Sequence, residues 1–177
     1  VSNPSDVTIQ QFKEEIMNEL LNRTASSYRL REFGKTLRYL EVLRDYQPFV
    51  TDDQKAMFGQ CYKAEQRYNE ALSIYQSMLQ ENREDLRIFR EIASIYTLAG
   101  QLPQAKQTLT QATQIAIQYY ESKYGSAYPI LVDPTRLSDI HYTVFFEKAT
   151  VLYQLGEYEN VLKDCSCAIF LRPDRAE

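Results

Sequence analysis

The residue types that carry out most protein chemistry are sparse in this chain. His141 is the only histidine in 177 residues, so a catalytic triad or a histidine-based metal site has little to draw on. The sequence shows no phosphate-cradling glycine loop, no zinc-type spacing of cysteine and histidine, and no nucleophile elbow. We therefore predict that the protein is not an enzyme and has no cofactor or metal. We expect His141 to lie at a helix start, as a surface or capping residue.

The other candidate groups also have structural explanations. Cys61, Cys165 and Cys167 cannot all pair, and we interpret them as reduced thiols that act as small apolar residues. Reduced thiols indicate the cytoplasm or the nucleus. Acidic pairs such as Asp52-Asp53 fall in first turns or on helix faces, where acids in a first turn complement the helix dipole. These groups therefore add no catalytic site.

Charge and hydropathy exclude two further classes of protein. The net charge is −4, whereas a nucleic-acid binder usually carries a basic stripe. No apolar run approaches the ~18 residues that a membrane span needs. The chain begins with Val1 and ends just past a regular pattern, so we expect a fragment of a longer protein.

The elements that would position binding residues repeat at a fixed spacing, with a period of about 34 residues. Aligning 52–85 with 86–119 places apolar over apolar and small over small residues: Phe58 over Ile92, Gly59 over Ala93, Tyr62 over Tyr96, Ala71 over Ala105, and Tyr75 over Leu109. The pattern returns after residue 142 with Phe145, Ala149, Leu152 and Ala168. Residues three and four apart share a helix face, and a small residue there lets a second helix pack closely.

This pattern resembles the tetratricopeptide repeat family, most clearly over 52–116 and 142–173. The resemblance implies an all-α fold of helix–turn–helix repeats, stacked as a right-handed α-solenoid. Linking turns are expected at Gln66-Arg67, Gly100-Gln101 and Gly156-Glu157.

We expect one repeat domain over 1–177, in which the first unit is irregular. That unit lacks the alanine that marks a second helix and has Thr36 or Leu37 in its place; we expect Pro48 to follow its end. The predicted boundaries are about 8–51 for this unit and about 52–85, 86–118 and 142–175 for the repeats.

One segment breaks the period. Regular spacing would begin the repeat that follows 86–118 near position 120, but that repeat begins at Tyr142. A segment is therefore inserted over about 119–141. The front of the insertion should prolong the preceding helix as far as Tyr124. Its apolar residues Tyr128, Ile130 and Leu131 either bind a partner or fold back over the core of the repeats.

The resemblance also implies that the first helices of the repeats line a concave groove. The register places five candidate partner-binding residues there: Lys63, Arg87, Arg90, Phe146 and Tyr153. Basic residues beside aromatic ones suit an acidic or carboxylate-bearing peptide with an apolar anchor. The alternative is a solvated groove in which the arginines pair with Glu91 or Asp85.

The last helix of the pattern is similar to repeats of chaperone adaptors. Adaptors that hold the C-terminal tails of the large chaperones use a clamp of lysines, asparagines and arginine. The corresponding positions here are Ala56, Gln60, Glu91, Thr143 and Glu147, so that clamp is absent.

Two functions follow from these patterns. The first is an adaptor, a protein–protein interaction module that binds a peptide segment in its groove. The second is a structural or multimerisation subunit, which acts through its ends, its insertion or its convex face. We expect protein partners, no nucleic acid and no membrane insertion, and self-association through apolar residues left exposed at the last helix.

Overall fold

A computed structural model describes residues 4–46, 51–124 and 139–171, and in these ranges every regular element is a helix. The helices in chain order are α1 (Pro4–Arg29), α2 (Phe33–Tyr46), α3 (Asp52–Ala64), α4 (Tyr68–Glu81), α5 (Leu86–Leu98), α6 (Leu102–Tyr124), α7 (Asp139–Gln154) and α8 (Tyr158–Leu171).

The chain divides into two compact units, Val1–Ile74 and Tyr75–Glu177. In the first unit, α1 packs on α2 and α2 packs on α3. In the second, α5 packs on α6, α6 on α7 and α7 on α8, and α5 also contacts α7. Helix α4 spans the boundary. The expectation of one domain over 1–177 therefore stays a prediction.

Side-chain caps fix where two of the first helices begin. Thr51 accepts a hydrogen bond from the Gln54 amide, and the Gln54 side chain accepts one from the Thr51 amide, which completes a capping box for α3. Asp85 caps α5 by accepting from the Arg87 amide. The two helices consequently begin one repeat period apart, at Asp52 and Leu86.

The same backbone motif closes four helix–turn–helix pairs. One residue in each turn has a positive φ: Arg31 (59°), Gln66 (59°), Gly100 (73°) and Gly156 (76°). The amide after each of these residues donates to a carbonyl five residues back, for example Glu157 to Leu152 at 2.9 Å. These are the bonds of a Schellman motif, which satisfies carbonyls at a helix end. The irregular first unit therefore turns like the later ones.

Small residues lie in the buried contacts between helices. In the second unit, Ala93 on α5 and Ala105 on α6 are buried with Leu109 and Val151 in one apolar cluster. A second cluster joins α5, α6, α7 and α8; its buried members include Phe89, Ala112, Ala116, Val144, Phe145 and Ala168. Each fully buried large side chain contributes roughly 1.5–3 kcal/mol, so these clusters hold the second unit together.

A polar contact takes the place of the missing alanine in the first unit. Thr36 is fully buried, and its hydroxyl donates to Ser27 Oγ across α1 and α2 at 2.9 Å. Thr24 satisfies its own hydroxyl by donating to the Leu20 carbonyl at 2.7 Å. Buried hydroxyl groups need such partners because burying them unpaired is costly. Thr36 therefore serves as the small contact residue, and Leu37 lies beside it in the core.

Helix α6 extends through Tyr119 to Tyr124, as the sequence predicted for the front of the insertion. Tyr128, Ile130 and Leu131 lie outside the described residues, so both interpretations of them stay predictions. Among the helices of the described ranges, none combines the length and hydropathy that crossing a membrane requires.

Candidate functional site

The predicted groove residues of the second unit lie on α5 and α7, which contact each other directly. We call the exposed and half-buried side chains of Arg87, Arg90, Phe146, Glu147 and Tyr153 the α5–α7 face. The remaining groove candidate, Lys63, is half-buried on α3 and belongs to the first unit.

Arg87 is the most exposed charged group of this face. Its side chain is 79% exposed and makes two hydrogen bonds to Asp85, from Nε at 3.0 Å and from Nη2 at 2.7 Å. The guanidinium lowers the pKa of the Asp85 carboxyl, mainly through these hydrogen bonds. The alternative interpretation, in which the groove arginines pair with neighbouring acids, therefore describes Arg87.

Arg90 is held by an acid that the sequence analysis did not pair with it. Its Nη2 and Nε donate to Glu147 Oε1 at 2.6 and 3.0 Å, which links α5 to α7. The hydrogen bond to Glu147 is the main cause of the raised pKa of Arg90, and Glu91 contributes only at longer range. Two half-buried side chains thus form a bridge across the face, and the bridge cancels the positive charge expected there.

Aromatic side chains of α7 flank this bridge. Phe146 and Tyr153 are 51% and 64% exposed, although both are large hydrophobic residues. They are seven residues apart and so lie on the same side of the helix. The Phe146 ring stacks on Tyr142 with centroids 5.8 Å apart, and Tyr153 contacts Tyr158 edge to face at 5.7 Å. Neighbouring rings hold both anchors in place.

His141 differs from the sequence expectation in its surroundings. It lies in the first turn of α7, as expected, but it is half-buried instead of exposed. Its ring stacks on Tyr119 at 5.4 Å and lies 5.0 Å from Tyr120, and its Nδ1 is buried without a hydrogen-bond partner among the described residues. Burial lowers the pKa of His141. Sequence reasoning missed these surroundings because the tyrosines belong to the extended end of α6.

The cysteines are free thiols, and the structure offers no sign of activation. Burial raises the pKa of Cys61 to about 12 and also raises the pKa of Cys167. A thiol is reactive as its thiolate, which a raised pKa disfavours. In the described parts of the chain, no three potential metal ligands come together.

The arrangement of the helices matches a known repeat family. Residues 62–120, which run from α3 to α6, match the model of the tetratricopeptide repeat. Residues 62–120 therefore form a tetratricopeptide-type repeat segment. Helices α3, α5 and α7 are the first helices of three helix–turn–helix pairs, and α4, α6 and α8 are the second helices.

Comparison with known proteins supports the same assignment. The Hsp70-Hsp90 organizing protein of Triticum aestivum is 23% identical, over 71% of this chain and 23% of its own length. The chain therefore spans about a quarter of that relative. Among solved structures, MamA protein superposes with a TM-score of 0.64 at 11% identity, covering 92% of this chain and 76% of its own. A double mutant of MamA (RS-1 ArsTM) gives 0.65 at 10% identity, covering 91% and 78%.

The likeness to these structures shows the fold, and the prediction of an all-α tetratricopeptide-type fold is confirmed. In the register predicted from the sequence, the groove candidates fall on first helices: Lys63 on α3, Arg87 and Arg90 on α5, and Phe146 and Tyr153 on α7. The direct contact between α5 and α7, bridged by Arg90 and Glu147, is consistent with that register.

Proposed function

We propose that this tetratricopeptide repeat chain is a non-enzymatic protein-interaction module, an adaptor that holds a linear segment of a partner protein on the α5–α7 face. The observation that carries the proposal is the pair of exposed aromatic anchors, Phe146 and Tyr153, on a first helix. Large aromatic residues are enriched among the side chains that dominate binding energy at protein interfaces.

The aromatic anchors supply most of the affinity in this proposal. Fully burying a phenylalanine side chain is worth roughly 1.5–3 kcal/mol. A tyrosine adds a hydroxyl that remains able to hydrogen-bond at the edge of the interface. Because Tyr142 and Tyr158 already contact the two anchors, little side-chain entropy is lost when a ligand binds.

An acidic or carboxylate-bearing segment remains part of the proposal, with Arg87 as its main contact. The Arg87 side chain is exposed, and its acid partner Asp85 lies in the same turn. Arg90 is a poorer test of charge recognition, because replacing it would also break the bridge to Glu147. The role of Lys63 stays a prediction for the first unit, and that of Tyr128, Ile130 and Leu131 a prediction for the insertion.

The proposal is tested by partner capture followed by a direct affinity measurement. The parent, Phe146→Ala/Tyr153→Ala and a control, Leu162→Ala, are used as bait, and the affinity of each for an identified partner is then measured. Leu162 is a suitable control because it is a large residue, 71% exposed, on the second helix α8. We expect at least tenfold weaker binding by the double variant alone. Equal affinity of the double variant and the parent would exclude the α5–α7 face as the binding site.

The wheat relative is named for Hsp70 and Hsp90, and for this chain we propose an adaptor role without that particular tail-binding clamp. The positions that would form the clamp are occupied by Ala56, Gln60, Glu91, Thr143 and Glu147. The free thiols of the described chain support an action in the cytoplasm or the nucleus.

A structural role through self-association is the second candidate. Helix α8 exposes Leu162 and Ile169, which are 71% and 50% accessible and seven residues apart. An apolar stripe of this kind on a helix is typical of a surface that packs on another helix.

A further inference from the structure

The first unit contains a basic and aromatic cleft that is separate from the α5–α7 face. It lies between the turn that joins α1 to α2 and the middle of α3, and its volume is about 490 Å³. Its lining residues are Tyr28, Arg29, Arg31, Phe33 and Gln60. A cleft of this size is within the range that small ligands or single large side chains occupy.

Within the described residues, both arginines of the cleft lack a counter-charge. The Arg29 Nε donates only to the carbonyl of Ala25, at 3.3 Å, and neither Arg29 nor Arg31 makes an ion pair in that part of the chain. The nearest acid in sequence, Glu32, is paired with Lys35 at 3.1 Å. Arg23, Arg67, Arg87 and Arg90, by contrast, all contact carboxylates. Two guanidinium groups without carboxylate partners at one cleft make it attractive to an anion.

The backbone at Arg31 offers a way to test the cleft. Arg31 occupies the left-handed position of its turn, with φ 59°, as Gln66 does in the next turn, and Gly100 and Gly156 occupy that position in the two later turns. A side chain other than glycine is disfavoured there. Glycine at position 31 would therefore remove the guanidinium group without straining the backbone.

The remaining walls of the cleft favour a ring. Tyr28 and Phe33 contact each other edge to face, with centroids 6.1 Å apart. Guanidinium groups also stack on aromatic planes. The Gln60 amide also lines the cleft and is able to donate a hydrogen bond to an oxyanion.

We propose that this cleft binds a phosphoryl group carried on an aromatic ring, as in a phosphotyrosine side chain of a partner protein. The phosphoryl group carries nearly two negative charges, which matches two arginines better than a carboxylate does. The ring fills the part of the cleft that the phosphoryl oxygens leave open, against Tyr28 and Phe33. The inference adds a second contact to the proposed adaptor function, and it makes binding depend on the modification state of the partner.

The test uses phenyl phosphate as the probe and the whole chain as the protein. Titration followed by NMR or calorimetry compares the parent with Arg29→Ala, Arg31→Gly and the control Arg38→Ala. Arg38 is an exposed arginine of the same unit whose Nε also donates only to a backbone carbonyl, that of Gly34 at 3.4 Å. Inorganic phosphate and phenylacetate are titrated in parallel.

We expect both cleft variants to weaken phenyl phosphate binding by about tenfold or more, since hydrogen bonds to charged groups are among the stronger ones. Arg31→Gly should keep or raise the melting temperature, because glycine accepts the left-handed backbone. That variant therefore separates binding from folding. Arg38→Ala should bind like the parent, and inorganic phosphate and phenylacetate should bind more weakly.

Three results would overturn the proposal. These are no saturable binding of phenyl phosphate by the parent, equal binding by parent and cleft variants, and equal affinity for inorganic phosphate or phenylacetate. None of them bears on the α5–α7 face, because Phe146→Ala/Tyr153→Ala leaves the cleft of the first unit unchanged.

Discussion

His141 is more buried than its place at the start of a helix predicts. Its ring lies against Tyr119 and Tyr120, and it lines a cleft of about 350 Å³ together with Glu84 and Gln118. Burial lowers the pKa of His141 below its usual 6.5. The folded state therefore binds this proton less readily than the unfolded state does. The resulting stability is present above pH 6.5 and is lost as the pH falls through the lower pKa of the folded protein.

From this we predict that the melting temperature falls between about pH 7.5 and about pH 6, and that His141→Phe removes most of the fall. Phenylalanine keeps a ring against the two tyrosines but cannot be protonated. Thermal unfolding at the two pH values measures the effect. An equal fall in the variant would mean that other groups cause it.

Asp164 changes the stability with pH in the opposite direction to His141. Burial raises the pKa of Asp164 above 3.8, although its partner Lys148 lies at 3.3 Å and opposes the shift. A raised carboxyl pKa gives stability that is present at low pH and is lost as the pH rises through it. Asp164 therefore stabilises the fold at low pH, whereas His141 destabilises it there.

Ala93 allows a direct test of close helix packing. It is 1% exposed, in a cluster with Ala105, Leu109 and Val151. Ala93→Leu should overpack this contact, at a cost of ~1–3 kcal/mol. Denaturant unfolding would measure the loss, with Leu98→Ala as a surface control, since Leu98 is 57% exposed on the same helix. Unchanged stability of Ala93→Leu would contradict the repeat register.

At the scale of elements, the turns have a common geometry but differ in residue type. Gly156 has φ 76°, and a Cβ added to it would meet no atom within 4 Å. The cost of a side chain there comes from the backbone alone. We predict that Gly156→Ala lowers the free energy of unfolding by about 1 kcal/mol.

The matched variant for this turn is Gly156→Asn. Asparagine tolerates the left-handed conformation better than alanine, so Gly156→Asn should lower the free energy of unfolding by less than Gly156→Ala does. Denaturant midpoints with an unchanged m-value would show that only stability has changed. If alanine proved as stable as glycine, the motif would not depend on glycine at this turn.

At the scale of the whole molecule, the exposed stripe of α8 predicts association between copies. In α6, the residues that correspond to Leu162 and Ile169 are Lys106 and Thr113. Lys106 forms an ion pair with Glu157 of the next helix pair, and Thr113 is only 3% exposed. In α8 the same two positions are occupied by apolar residues and are exposed. The described part of α8 therefore exposes apolar side chains at the two positions where α6 contacts the next helix pair or is buried.

We predict concentration-dependent association in sedimentation velocity experiments and its loss in Leu162→Glu/Ile169→Glu. A charge at each position should oppose burial of the stripe. Phe146→Glu serves as the control, because Phe146 lies on the α5–α7 face and not on α8. A parent that stays monomeric at high concentration, or a double variant that associates as the parent does, would contradict this prediction.

The sequence by itself determined the local structure of this protein. The repeat period, the alanines at close contacts and the glycines of two turns depend on neighbours a few positions away, and such neighbours are set by helix geometry. The fold class and the repeat family were therefore predictable. The exposed positions Phe146 and Tyr153 followed from the same register.

Only the tertiary structure decided which distant groups meet. Arg90 pairs with Glu147, far along the chain, instead of the nearby Glu91. His141 is half-buried because α6 runs far enough to place two tyrosines against it. The cleft of Arg29 and Arg31 forms because α3 brings Gln60 to the first turn. Contacts of this kind depend on how helices cross and how far each one extends, and a local periodicity contains neither quantity.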